Sequence, residues 1–157
     1  MKMLNIVPGR TPVTTELSAG ELHTSKGGFS LVEQNAALTP SNLIVVERMG
    51  QKAAPFGSPM IGFKYHDAAV GELFEMPAMR GYVTRLASGG RTEPHEEKFD
   101  RLIVAVTNLH LGHQFDERNQ TETSLKAGDV RWIAKASDRS IVNLAGTACS
   151  FITIEFN

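Results

Sequence analysis

Short apolar or alternating runs recur along this chain between clusters of Gly, Pro, Asn and Asp, and nowhere does a 3.6-residue apolar period last three turns. Such a pattern excludes a helical core and predicts an all-β sandwich or barrel. Strands are expected over Phe29–Glu33, Leu43–Arg48, Met60–Lys64, Leu73–Met76, Gly81–Leu86, Leu102–Thr107, His110–Phe115, Val130–Ala134, Ser140–Asn143 and Ser150–Phe156. The run Leu102-Ile-Val-Ala-Val106 is apolar at every position, which predicts cover on both faces. Alternation puts Ile152, Ile154 and Phe156 on one face of the last strand, and Phe151, Thr153 and Glu155 on the other.

A chain of 157 residues suits one domain with an appended arm. Residues 1–70 carry five of the seven prolines and read as an N-terminal extension that adds strands or a dimer arm. Residues 71–157 are evenly punctuated and read as the barrel core. The formal net charge is −1 and no basic run stands out, which excludes nucleic acid and anionic membrane as expected partners. No apolar stretch approaches the ~18 residues of a membrane span, and the N-terminus has no signal-peptide run, so a cytoplasmic location is expected. The single cysteine, Cys149, excludes an internal disulfide and reads as a buried, inert thiol.

Two segments carry the chemistry. The first is Gly90-Arg-Thr-Glu-Pro-His95-Glu-Glu97-Lys-Phe-Asp100-Arg-Leu-Ile-Val-Ala-Val106; the second is Gly128-Asp-Val-Arg-Trp132-Ile-Ala-Lys-Ala-Ser-Asp-Arg139-Ser-Ile-Val-Asn143. Each has a turn glycine, a polar stretch with a possible ligand residue, and then an apolar strand. Together they resemble the two motifs of the cupin family. The resemblance covers roughly Leu73 to Asn157 and implies a cupin-type antiparallel β-barrel, a jelly roll, holding a metal or an organic ligand. It also implies a homodimer.

In that family the first motif supplies a His-x-His pair and a Glu, and the second one more His. The resemblance places His95 in the first slot and Glu97 in the second. The Glu slot falls on Arg101 or Leu102, with Asp100 just before, and the last His slot falls on Arg139. Arginine stays protonated and cannot ligate a metal. His95 and Glu97 are therefore the only metal candidates carried by the motif, and no cofactor is expected. His110 and His113 are three apart on one predicted strand, so at most one reaches the interior.

The departures favour a small polar or anionic ligand bound in the barrel without a full metal site. Arg139 and Glu97 would form a charge-assisted pair at the cavity mouth, or Arg139 would receive a ligand carboxylate. His95, Glu97, Asp100, Arg101, Arg139, Trp132 and Tyr82 are the pocket candidates. The last follows from alternation, since Tyr82, Thr84 and Leu86 share a strand face. A metal-dependent dioxygenase or isomerase is the alternative, as is a metal-free enzyme resembling sugar epimerases, with His95 as base beside Glu97.

Overall fold

The computed structural model describes residues 1–24, 31–47, 54–114 and 120–157, and only the backbone of 136–138. In chain order its strands are β1 (Lys2–Ile6), β2 (Val13–Glu16), β3 (Val32–Asn35), β4 (Tyr65–Met76), β5 (Met79–Thr92), β6 (His95–Glu97), β7 (Asp100–Ala105), β8 (Leu109–Gln114), β9 (Gln120–Leu125), β10 (Val130–Ile133), β11 (Ala136–Asn143) and β12 (Cys149–Phe156). The described residues contain no helix.

The chain divides into two compact units, Met1–Glu47 and Arg48–Asn157. In the first, β1 runs between β2 and β3 in a small antiparallel sheet. The division falls well before residue 70, because β4 spans that point and pairs along β5. Residues 65–70 of the expected extension therefore lie in a strand of the barrel. Leu43–Glu47 and Met60–Lys64 are apolar but form no strand, and Phe29, Ser30, Arg48 and Phe115 of the expected strands lie outside the described residues.

The second unit is a nearly closed antiparallel barrel. Among the described residues its nine strands run in the order β10-β7-β12-β5-β11-β8-β9, with β4 on β5 and β6 on β11. Antiparallel register makes directly opposed residues share a face. Across β5, β12 and β7 the inward rows are then Arg80–Glu155–Arg101, Tyr82–Thr153–Ile103 and Thr84–Phe151–Ala105, in sequence along the barrel. One end is charged and the other apolar. The apolar end is closed by Leu86, Ile103, Ala105, Leu109, Leu111, Ile141, Cys149 and Phe151. Burial also raises the pKa of the Cys149 thiol, in keeping with an inert side chain.

Strand β7 alternates, with Arg101, Ile103 and Ala105 buried and Asp100, Leu102 and Val104 only half-buried. The all-apolar run is thus covered fully on one face only, since its outer face meets the exposed Val130 and Trp132 of β10. Glycine serves two tight places. Gly128 turns into β10 at φ +90°, the left-handed region. At Gly90 an added Cβ would lie 2.3 Å from the Asp67 carbonyl oxygen, where β4 shifts register against β5.

Candidate functional site

The charged end of the barrel is built from β6, β7 and β11. Glu97 is buried, and cations from β7 and β11 flank it. Arg101 Nη2 touches Glu97 Oε2, and Arg139 Nε stands 3.3 Å from the same oxygen. His95 lies two residues before Glu97 on β6, so both side chains share a face, and its Nε2 is 3.6 Å from Glu97 Oε1. Opposite His95 in the β6–β11 pairing is Arg139. One carboxylate is therefore bracketed by two guanidiniums and an imidazole.

A second pair completes this end. Arg80 Nε donates to Glu155 Oε2 at 2.6 Å, and Arg80 Nη1 donates to the Ser58 carbonyl at 2.7 Å. The Arg80 guanidinium also lies 4.2 Å from the Phe56 ring centre, which itself meets Phe99 edge-on.

The stretch from Ala54 to Lys64 straps this end of the barrel. Its tethers are the bond from Ala78 N to the Ala54 carbonyl, the Arg80 bond to Ser58, and the bond from Glu93 N to the Lys64 carbonyl. Met60 is buried, and Phe63 stacks on the His95 ring at 4.3 Å. Between the strap and the strands lies a cleft of about 320 Å³, with Arg80, His95, Glu97, Arg101 and Glu155 in its polar wall and Met60, Phe63 and Phe99 in its apolar wall.

Burial governs the protonation states. It lowers the His95 pKa, with Arg101 and Arg139 acting in the same direction, so the imidazole is neutral near pH 7. It lowers Arg101 to about 10, which leaves that guanidinium charged, and lowers Arg139 as well. Tyr82 is pushed up to about 12, by burial first and by the Glu155 charge second.

The sequence candidates separate into two groups. His95, Glu97 and Arg101 meet at the cleft, and Arg139 stands against Glu97 behind them. Tyr82 is buried in the next row inward, with its ring 6.1 Å from that of Phe63, and is not part of the cleft wall. Asp100 and Trp132 correct the expectation. Asp100 is on the outer face of β7, where its Oδ1 accepts from Lys135 N at 2.8 Å. Trp132 opposes Leu102, also outward, and is 55% exposed against Phe156. Both stand one residue out of phase with the inward positions.

One residue was passed over, and one choice left open is now made. Arg80 lies in a sequence stretch that carries no motif, and only its register opposite Glu155 reveals it. His113 is the inward member of the histidine pair; its Nε2 shares a bond with Thr123 Oγ1 at 3.1 Å and its Nδ1 is buried without a hydrogen-bond partner among the described residues. His110 points outward and meets Glu122 at 2.8 Å.

This donor set does not fit a divalent cation. Among the described residues no three His, Cys, Asp or Glu side chains stand together as a ligand group. The carboxylate at the motif position is already engaged by guanidinium, and two such cations would repel a metal ion in a buried site.

No family model matches the chain, and no curated protein matches it. Solved structures do. A cupin domain from Bordetella pertussis Tohama I superposes with a TM-score of 0.54 at 20% identity, covering 61% of this chain and 99% of that one. A cupin superfamily protein from Desulfitobacterium hafniense DCB-2 gives 0.46 at 15% identity, covering 69% and 98%. The polyketide cyclase RemF from Streptomyces resistomycificus gives 0.47 at 18%, covering 73% and 80%. With the barrel, its strand order and the likeness to the Bordetella pertussis cupin domain in hand, the fold of this chain is that of a small cupin.

Proposed function

We propose that the charged end of the barrel binds a small polar or anionic organic molecule, without a metal ion, and that Arg101 is its principal anchor. One observation carries this reading. The Arg101 side chain is only 3% exposed, it lines the cleft, and its Nε has no hydrogen-bond partner among the described residues. A buried N–H left unmade costs about 1–3 kcal/mol. An acceptor on a ligand, a carboxylate above all, removes that cost and gains a charge-assisted bond. The volume of about 320 Å³ limits the guest to a small molecule.

A metal-free acid–base enzyme is the second reading: His95 is held neutral and the carboxylates of Glu97 and Glu155 line the same cleft, whereas Tyr82 lies outside the cleft wall and holds its proton to about 12.

Titrating the protein with acetate, propionate and succinate, followed by amide NMR shifts, tests this reading. The wild type should bind at least one of them, Arg101→Gln should weaken that binding about tenfold or more, and metal analysis of the purified protein should find no stoichiometric ion. Equal affinity in wild type and Arg101→Gln removes the anchor. A stoichiometric metal whose removal by chelator lowers the melting temperature removes the metal-free reading.

A further inference from the structure

The proposed site holds an acceptor pair that no group among the described residues satisfies. His95 Nδ1 lies 2.8 Å from the Glu93 carbonyl oxygen. A carbonyl only accepts, so Nδ1 carries the proton and Nε2 of the neutral ring presents a lone pair. That lone pair faces Glu97 Oε1 at 3.6 Å, and Oε1 is buried with no hydrogen-bond partner among the described residues. Two acceptors facing each other at this separation are unfavourable unless a donor sits against them. Phe63 lies flat on the imidazole at 4.3 Å, which fixes the ring plane. The other carboxylate oxygen of Glu97 is the one held by Arg101. The donor-seeking Oε1 and the oxygen held by the Arg101 guanidinium are thus the two oxygens of one carboxylate, and His95, Glu97 and Arg101 all line the cleft.

Resting on the ligand-binding reading above, we infer that the ligand is a small hydroxycarboxylic acid, with its hydroxyl donating to the His95 Nε2 and Glu97 Oε1 pair and its carboxylate on Arg101. An ammonium would supply donors equally well, as in an amino acid. The two guanidiniums on Glu97 disfavour a further cation there, and the same two charges help hold His95 neutral. A neutral hydroxyl meets no such opposition.

Matched sets separate these possibilities: lactate, propionate and alanine share one carbon skeleton and differ in a single group, and malate, succinate and aspartate form a second such set. Dissociation constants from NMR titration at pH 7.5 should place the hydroxy acid of at least one set about tenfold or more below its deoxy partner, because an unpaired buried acceptor penalises the partner. The amino acid should bind more weakly than the hydroxy acid. In His95→Phe the ratio between hydroxy and deoxy acids should collapse toward one. Deoxy acids binding as tightly as hydroxy acids in both sets overturn the hydroxyl assignment and leave the carboxylate anchor standing. Amino acids binding tightest overturn it in favour of an ammonium. No binding by any of the six overturns the hydroxyl assignment together with the carboxylate site.

Discussion

Arg139 of β11 stands directly opposite His95 of β6, and each reaches the same carboxylate, that of Glu97, from its own side. In the family that the motifs resemble, this pairing would set two imidazoles around a metal. Here a guanidinium takes one of those positions and Arg101 adds a second. A positive charge is thus delivered by side chains fixed in the barrel wall, and the centre becomes an ion-pair network instead of a ligand cage.

Because both guanidiniums turn to one carboxylate, Glu97→Gln should be strongly destabilising. The substitution keeps the shape but leaves two buried cations facing an amide. Removing one partner of a buried charge cluster costs about 3–5 kcal/mol. Urea unfolding should show a drop of that order, and Glu97→Gln combined with Arg101→Gln should recover part of it. A double variant less stable than the single one would mean that Arg101 draws its support from other groups.

Phe63 shields His95, and burial is the leading cause of that histidine's lowered pKa. Phe63→Ala should therefore move the His95 titration upward toward the ordinary histidine value, followed through its imidazole C–H resonances. The folded-state pKa lies below the unfolded one, so the neutral ring is favoured by the fold and stability is lost as pH falls through that range. Phe63→Ala should reduce this acid sensitivity. An unmoved titration would assign the shift to Arg101 and Arg139 instead of the stack.

Gly90 and Gly89 are neighbours with different reasons for being glycine. At Gly90 an added Cβ meets backbone atoms of Asp67 and Ala87 at 2.3–3.0 Å, and backbone cannot swing aside. Gly89 has φ +73° and open space. Gly90→Ala should cost about 1–3 kcal/mol or more through overpacking, whereas Gly89→Ala should cost about 1–2 kcal/mol through its left-handed backbone alone. Thermal unfolding of the two variants checks the order. Equal losses would show that β4 yields at its register shift near Asp67.

The sequence made the barrel legible wherever strands carry apolar runs bounded by turns, as in Leu102–Ala105 and Ser150–Phe156. It failed where strands are polar. Gln120–Leu125 reads Gln-Thr-Glu-Thr-Ser-Leu and buries only Thr123 fully, since β9 ends the sheet order and packs one face. In the opposite sense, Leu43–Glu47 is apolar enough for a strand and forms none. At the site, the motif spacing located His95, Glu97 and Arg139, because two-residue alternation and cross-strand pairing follow from strand geometry. Asp100 against Arg101 was a question of phase, and a strand's phase is set by its partners, not by its own residues. Arg80 needed the register of β5 on β12. No local pattern announces it.

His113 provides a pH test that does not involve the cleft. Its ring is buried on β8, and its pKa is lowered to about 4 by burial first and then by the charges of Arg139, Arg101 and Arg131. The unfolded chain would protonate this histidine near the ordinary value of 6.5, so between about 6.5 and about 4 the unfolded state holds a proton that the native state lacks. Stability contributed by the neutral ring is thus complete above that window, falls as pH drops through it, and levels off below. His113→Gln removes the titration while keeping a partner for Thr123 Oγ1, which bonds His113 Nε2 in the wild type. The unfolding free energy of the variant should fall less steeply than that of the wild type between pH 6.5 and pH 4, and the two slopes should agree above pH 7. Parallel curves throughout would mean that His113 titrates alike in the folded and unfolded chains, and that its ring is hydrated inside the barrel.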